Sequence, residues 1–495
     1  MKKRILAAVL ASASILGAVS GCQSKSSTSS GTSSTGADSS TASTSEATSS
    51  EASTTSTEES SQGGESTTTD GKLTLKEGEG TVLNIAVWNE EFKGHFEKYL
   101  KDKMPDGVTV NFLITENKDN KYQNKLDEDL PNNETADADK KIDMFLFEAD
   151  YALKYVNQDY TLDVKELGLT DADVSGMYQY TKDVATNKAT GALKAVSWQA
   201  TPGLFAYRRS IAKDVLGTDD PAQVQEALAD WDKFDAVAEQ AAAKGYKMLS
   251  GYDDSYRTFS NNVVAPWVND NDEIIIDDNI MKWVEQTKTY TDKGYNNKTS
   301  LWSDAWSADQ GPDGKVFGFF YSTWGINFTL LGNSLAVKEA DGGKQEVGNG
   351  GFGDWAVCYG PQAYFWGGTW MAGAKGTDNA TLVGDIMRAF CCDAEFGKQF
   401  TTDTQDYYNN KTAMEELAKT DYKSDFLGGQ NHLALFVETA PKIDMSKISV
   451  YDQGLNETFQ AAFKEYFDGT VDKDTALANF YTNAITKYPD LKKPA

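Results

Sequence analysis

The chain has 495 residues and carries 47 basic against 74 acidic side chains, a formal net charge of −27. So acidic a surface argues against binding nucleic acid or an anionic membrane face. With two histidines and four cysteines, two of them adjacent at Cys391 and Cys392, the sequence supports neither a disulfide scaffold nor a four-cysteine zinc site. No cofactor fingerprint stands out. The glycine-rich run Gly342–Gly353 has no G-x-G-x-x-G between strand and helix and no G-K-[ST] ending, and Asn269–Asp278 lacks the glycine and closing glutamate of a calcium loop.

In chain order, MKKR is cationic, ILAAVLASASILGAV is apolar, and Ser20–Gly21–Cys22 follows, the pattern of a secretory signal. The run Val19–Ser20–Gly21–Cys22 resembles a bacterial lipobox, which implies lipidation at Cys22 and a signal over 1–22. The next stretch, 23–72, is almost entirely Ser, Thr, Gly, Ala and Glu up to Asp70. It has too little apolar surface to offset ordering entropy and is read as a disordered tether, reaching on the order of 40 Å as a flexible coil. About 425 residues then remain, enough for two or more cores.

The folded body opens with TVLNIAV, a buried strand that ends at Trp88 and turns through Asn89 and Glu90 into a helix carrying Phe92, Phe96, Tyr99 and Leu100. VTVNFLIT is a second strand and KIDMFLFE a third, ending at Glu148, Asp150 and Tyr151. Strands separated by helical segments predict βαβ units and a parallel sheet, whose carboxyl ends are the usual place for a ligand. Leu193–Trp198 and Gly203–Arg208 flank a Gln-Ala-Thr-Pro bend, a candidate crossing between lobes. Trp231–Lys244 reads as an amphipathic helix capped by Asp230, and Ile280–Lys293 as another. Trp302 and Trp306 lie in a Ser/Asp-rich loop, an uncommon place for such side chains unless they pack or bind. Lys315–Tyr321 is a strand that runs into Trp324 and then a helix, repeating the arrangement at Trp88. Asp354–Tyr359 is a further strand, Tyr364–Met371 carries Trp366 and Trp370 around two glycines, and Thr377–Thr401 reads as one long helix. Two amphipathic helices close the chain.

The order of these features, from lipobox and tether through the strand ends at Trp88, Glu148 and Trp324 to the return strand before a long helix, resembles the extracellular solute-binding proteins of carbohydrate ABC transporters, the maltose-binding-protein-like group. The resemblance implies an α/β fold, two-lobed and periplasmic-binding-protein-like, with a central interlobe cleft and a hinge of several segments. It implies lobe one over 81–196 and 364–426, and lobe two over 198–361 and 427–491. It implies ligand contacts from Trp88, Asn89, Glu90, Glu148, Asp150, Tyr151, Trp198, Trp267, Trp324, Trp366 and Trp370. It further implies an oligosaccharide as ligand, permease subunits as partners, a membrane met through the lipid anchor alone, and a monomer without catalysis, metal or cofactor.

The composition gives this an independent physical basis. A sugar ring has one face of C–H bonds and an edge of hydroxyls, so its site needs flat aromatics and nearby carboxylates or amides. With 11 Trp and 23 Tyr the chain can line a long groove. Other readings stay open on the sequence: a glycoside hydrolase using a pair among Glu90, Glu91, Glu148 and Asp150, a peptide binder, or a lipid-anchored adhesin.

Overall fold

The computed structural model describes residues 72–494. The signal, the lipobox with Cys22 and the tether, except its last residue, Lys72, lie outside the described residues. Two sheets organise the rest. The first contains β1 (Val82–Val87), β2 (Thr109–Ile114), β3 (Met144–Glu148), β4 (Val196–Ser197) and β8 (Thr369–Gly373), in the order β2-β1-β3-β8-β4. The second contains β5 (Gly203–Arg208), β6 (Gly318–Ser322) and β7 (Trp355–Cys358), in the order β6-β5-β7.

Only part of the expected parallel pattern is present. β1 runs parallel to β2 and β3, as helical crossovers require, but β8 is antiparallel to both β3 and β4, and the second sheet is antiparallel throughout. The reason is topological. β8 returns to the first sheet from the second one, and a strand arriving from a distant element need not follow the direction that a local βαβ unit imposes. Continuous apolar runs nevertheless mark the central strands correctly, since every residue of β5, β6, β7 and β8 is buried.

The chain crosses between the sheets after β4 and again between β7 and β8; an antiparallel bridge of Pro202 with Phe365 joins these crossings, and a second, of Gln199 with Tyr408, ties the first to a segment beyond β8. One apolar core includes residues of both sheets. A second, smaller core is built from Tyr252, Tyr256, Phe259, Trp267, Trp283 and the two closing helices, Asp452–Phe467 and Lys473–Lys487. The Trp231–Ala243 helix forms as its pattern requires, with Asp230 accepting from the backbone N–H of Lys233. The expected Thr377–Thr401 helix is two helices instead, Ala380–Cys391 and Ala394–Thr404. Asp393 breaks it by taking an extended backbone and capping the second helix through the N–H of Phe396.

Candidate functional site

The carboxyl ends of β1, β3 and β6 converge with the β7–β8 crossing. At the end of β1, the Asn89 side chain accepts from the N–H of Glu91 at 3.0 Å, an Asx turn that starts the following helix. Asn89 and Glu90 are exposed, and Glu90 faces Lys93 at 3.4 Å. Trp88 is half-buried, its ring 5.8 Å from that of Tyr122. The Tyr122 hydroxyl lies 2.9 Å from the Ala86 carbonyl and 2.5 Å from the Leu146 carbonyl, which ties β1 to β3 next to Trp88.

β3 ends at Glu148, half-buried, and two residues on Asp150 receives both terminal nitrogens of Arg257 at 2.8 and 2.7 Å. Arg257 comes from the Tyr256–Ser260 helix, on the side of the second sheet, so this bidentate pair spans the gap between the two sets of strand ends. Its guanidinium lies over the ring of Trp366, 5.4 Å from the centroid. The backbone N–H of Ala149 donates to Gly368 at 3.3 Å, bringing the β7–β8 crossing against the end of β3.

Beyond Trp366 an aromatic wall continues. Trp324, just after β6, donates its indole N–H to the Trp366 carbonyl at 3.0 Å, and the two rings stand 5.4 Å apart at 72°. Trp366 stacks on Tyr321 at 5.9 Å and 11°. Trp302 lies against both, 6.0 Å and 20° from Trp324 and 5.7 Å from Trp366. The close approach depends on Gly367, whose φ is +72° and where a Cβ would stand 3.0 Å from the Trp324 indole nitrogen. Trp324 also leads into six residues of π-helix, Gly325–Leu330, a rare geometry found mostly at functional sites.

A polar network, buried at Gln199, Thr323, Thr369 and Asp406 and reaching the surface at Glu91, joins segments far apart in sequence. The Gln199 amide nitrogen donates to Asp406 at 2.7 Å and to Glu91 at 3.3 Å, its oxygen accepts from the N–H of Thr369, and Thr323 donates to the second oxygen of Asp406 at 2.6 Å. The strand ends and both crossings are thereby tied to one point.

Burial decides the protonation here. It pushes Glu148 up to about 8, Asp150 adding to the rise and Arg257 opposing it. Burial also acts on Asp150, but the charge and hydrogen bonds of Arg257 hold that carboxyl below its ordinary value. Glu91 rises to about 7, through burial and the nearby Asp406, against the Gln199 hydrogen bond. At neutral pH the site thus holds an ionised Asp150, clamped on both oxygens, beside a protonated Glu148 able to donate or accept a hydrogen bond.

Of the residues expected at the site, Glu148, Asp150, Trp324 and Trp366 are brought together, and Trp88, Asn89 and Glu90 sit on the adjoining strand end. Trp366 is mostly covered by its aromatic neighbours and backs the wall. Four expected contacts are corrected. Trp198 is fully buried against Phe92 and Phe390, and Trp370 is buried with its N–H on the Thr181 carbonyl. Trp267 belongs to the second core, against Phe459 and Phe480, and Tyr151 is buried beside Tyr155. Trp198, Trp370 and Tyr151 fall near a strand end or crossing in sequence and Trp267 between two helices, but all four face the interior. Sequence reasoning missed Arg257, Gln199, Asp406 and Thr323. A polar glutamine in an otherwise apolar crossing was the one visible signal. A surface pocket of about 340 Å³, bounded by Lys247, Asn297, Asp309 and Lys315, lies at the opposite end of β6 and shares none of these residues.

Comparison with known proteins accords with this architecture. The family model described as bacterial extracellular solute-binding protein matches residues 96–426. Among solved structures, an extracellular solute-binding protein of family 1 is similar with a TM-score of 0.66 at 17% identity, covering 82% of this chain and 100% of its own. The ABC transporter associated binding protein of B. animalis subsp. lactis, in complex with beta-1,6-galactobiose, gives 0.60 at 17%, covering 84% and 100%. The sugar-binding protein MalE of Xanthomonas citri gives 0.60 at 12%, covering 83% and 98%. No curated protein matches the sequence. Two sheets joined by paired crossings, with polar and aromatic strand ends facing one another, are the two-lobed fold of these structures, and the chain belongs to the bacterial extracellular solute-binding proteins.

Proposed function

We propose that the chain binds an oligosaccharide between its two lobes and hands it to a membrane ABC permease without chemical change. The observation that carries this reading is the wall of Trp302, Trp324 and Trp366 facing Glu148, Asp150 and Arg257. Flat indoles suit the C–H face of a pyranose, and carboxyl and guanidinium groups suit its hydroxyl edge. The sugars named for similar structures support it: galactobiose in the B. animalis protein, and cycloalternan in a Listeria monocytogenes substrate-binding protein at 13% identity and a TM-score of 0.57. Lobe one takes 81–196 and 364–426 and lobe two 198–361 and 427–491, a division supported by the membership of the two sheets. Cys22 carries the lipid that holds the monomeric protein on the outer face of the membrane, at the end of its tether.

The test is calorimetric titration of the protein and of Trp324→Ala with oligosaccharides of graded length. Binding by the first and a large loss in the second support the reading, and unchanged affinity removes Trp324 from the site. Glycoside hydrolysis is the second reading, favoured by Glu148, whose raised pKa suits a general acid. Asp150, its nearest carboxylate partner here, has both oxygens taken by Arg257 and is poorly placed to attack. Release of any shorter sugar on incubation would make hydrolysis the better account.

A further inference from the structure

Trp302 is not accounted for by the packing of a core. Its backbone is left-handed, with φ at +66°, a conformation that a bulky side chain rarely adopts. It remains 37% exposed, although it touches three other tryptophans. Its loop is pinned on either side: the N–H of Leu301 donates to Asp253, and Ser303 caps the Asp304–Asp309 helix. The fixed flanks leave the indole itself projecting, nearly parallel to Trp324 at a centroid separation of 6.0 Å and an angle of 20°.

That separation has a consequence for any ligand using Trp324 as a platform. Carbon atoms in contact stand roughly 3.5–4.0 Å apart, so a sugar ring held between two indoles needs them about 7–8 Å apart. Trp302 and Trp324 are closer than this. On the face of Trp324 that Trp302 covers, the two cannot receive a ring between them. The six π-helical residues that follow Trp324 are the neighbouring irregularity, and together with the strained backbone of Trp302 they place two unfavourable geometries on the two partners of one stack.

We propose that Trp302 is a specificity-determining cover: it occupies the face of Trp324 that a sugar ring would use, and a ligand binds there by displacing it. This rests on the carbohydrate reading given above and adds a ligand class to it. A monosaccharide gains little more from Trp324 than the indole stack it disrupts. A longer sugar also reaches groups beyond Trp324, such as Glu148 and Arg257, and those contacts make displacement favourable. The cover is therefore a fixed cost that only a sugar long enough to reach those groups offsets.

The experiment has a ligand-free and a ligand arm. Closely stacked indoles couple in the far-ultraviolet circular dichroism, and each of the two also neighbours Trp366, so without ligand the change in the Trp302→Phe, Trp324→Phe double variant should fall short of the sum of the two single changes by the coupling the pair shares. Additive changes would show that the rings do not stack, and would overturn the proposal. In the ligand arm, glucose, maltose, maltotriose and maltotetraose, and the matching β-galactoside ladder, are titrated into the wild-type protein and Trp302→Ala. The proposal expects the variant to bind every ligand that uses this face of Trp324 roughly five- to tenfold more tightly, the factor set by one aromatic pair, so that the shortest ligands become measurable. Weaker binding of all lengths would make Trp302 an ordinary platform and overturn the cover, while the carbohydrate reading stands. Silence of both proteins on both ladders would overturn the carbohydrate reading for these sugars and the cover with it.

Discussion

The tryptophans divide into two populations that composition alone could not separate. Trp198, Trp267, Trp283 and Trp370 are buried among Phe and Tyr rings or strand backbone, and the indole N–H groups of Trp267, Trp283 and Trp370 each find an internal acceptor. Trp88, Trp302, Trp324 and Trp366 gather instead at the facing strand ends, beside carboxyl and guanidinium groups. The first set is wholly interior; in the second Trp366 alone is buried, and the cluster is held in part by Gly367, a π-helix and a left-handed backbone. A site that must admit a ligand leaves some of its apolar surface uncovered, and local strain is retained where the surrounding structure fixes it.

The largest effect should separate these populations directly. Trp198→Ala removes a fully buried indole between Phe92 and Phe390 and should cost about 3–5 kcal/mol of stability in denaturant unfolding. Trp324→Ala should cost far less stability but weaken sugar binding by about ten- to a hundredfold, roughly 1.4–2.8 kcal/mol. If the two variants lost stability equally, the division between packing and binding tryptophans would not hold.

Glu148 sharpens the comparison through pH. Its folded pKa of about 8 lies above the ordinary value of 4.5, so the folded protein releases this proton as pH rises through 8, while the unfolded chain released it far lower. Stability should therefore decline from about pH 4.5 to about 8 and level off above that, with Glu91 adding to the decline below about 7, and Glu148→Gln should make it shallower. Both histidines are lowered from 6.5 to about 4 by burial and act in the opposite direction between those values, so the Glu148 decline is read between about pH 6.5 and 8. Because Glu148 still meets solvent, the slope should be gentle, and chemical denaturation at several pH values measures it. An identical slope in wild type and variant would remove Glu148 as its source.

Two smaller effects complete the set. Asp150→Asn breaks a pair that is about one-third exposed, 37% on the Asp side and 28% on the Arg side, and should cost about 0.5–1 kcal/mol, less at high salt. Trp302→Gly should be more stable than Trp302→Ala by about 1 kcal/mol, since only glycine takes a φ of +66° without crowding its Cβ. Equal stability of the two variants would place no strain at that position.

The sequence made the strands and the amphipathic helices legible because their signals are local: continuous apolar runs, helical spacing and a capping aspartate at 230 all lie within a few residues. It marked the strand ends at Trp88, Glu148 and Trp324 for the same reason. It could not tell Trp198 from Trp324, because both follow an apolar run and only the long-range partners Phe390 and Trp366 distinguish them. The Gln199 network was hidden on the same grounds, its members Glu91, Thr323, Thr369 and Asp406 being scattered over more than three hundred residues of chain. Antiparallel pairing of β8 likewise depends on where the chain comes from and has no signature in the strand itself.

The most direct test of the central claim is calorimetric titration of the whole protein with oligosaccharides of increasing length, with tryptophan fluorescence recorded on the same samples. The account predicts saturable binding that strengthens with length, accompanied by a change in indole emission and by recovery of the sugar intact. A silent calorimeter and unchanged emission across the series, or recovery of shortened sugars, would contradict it.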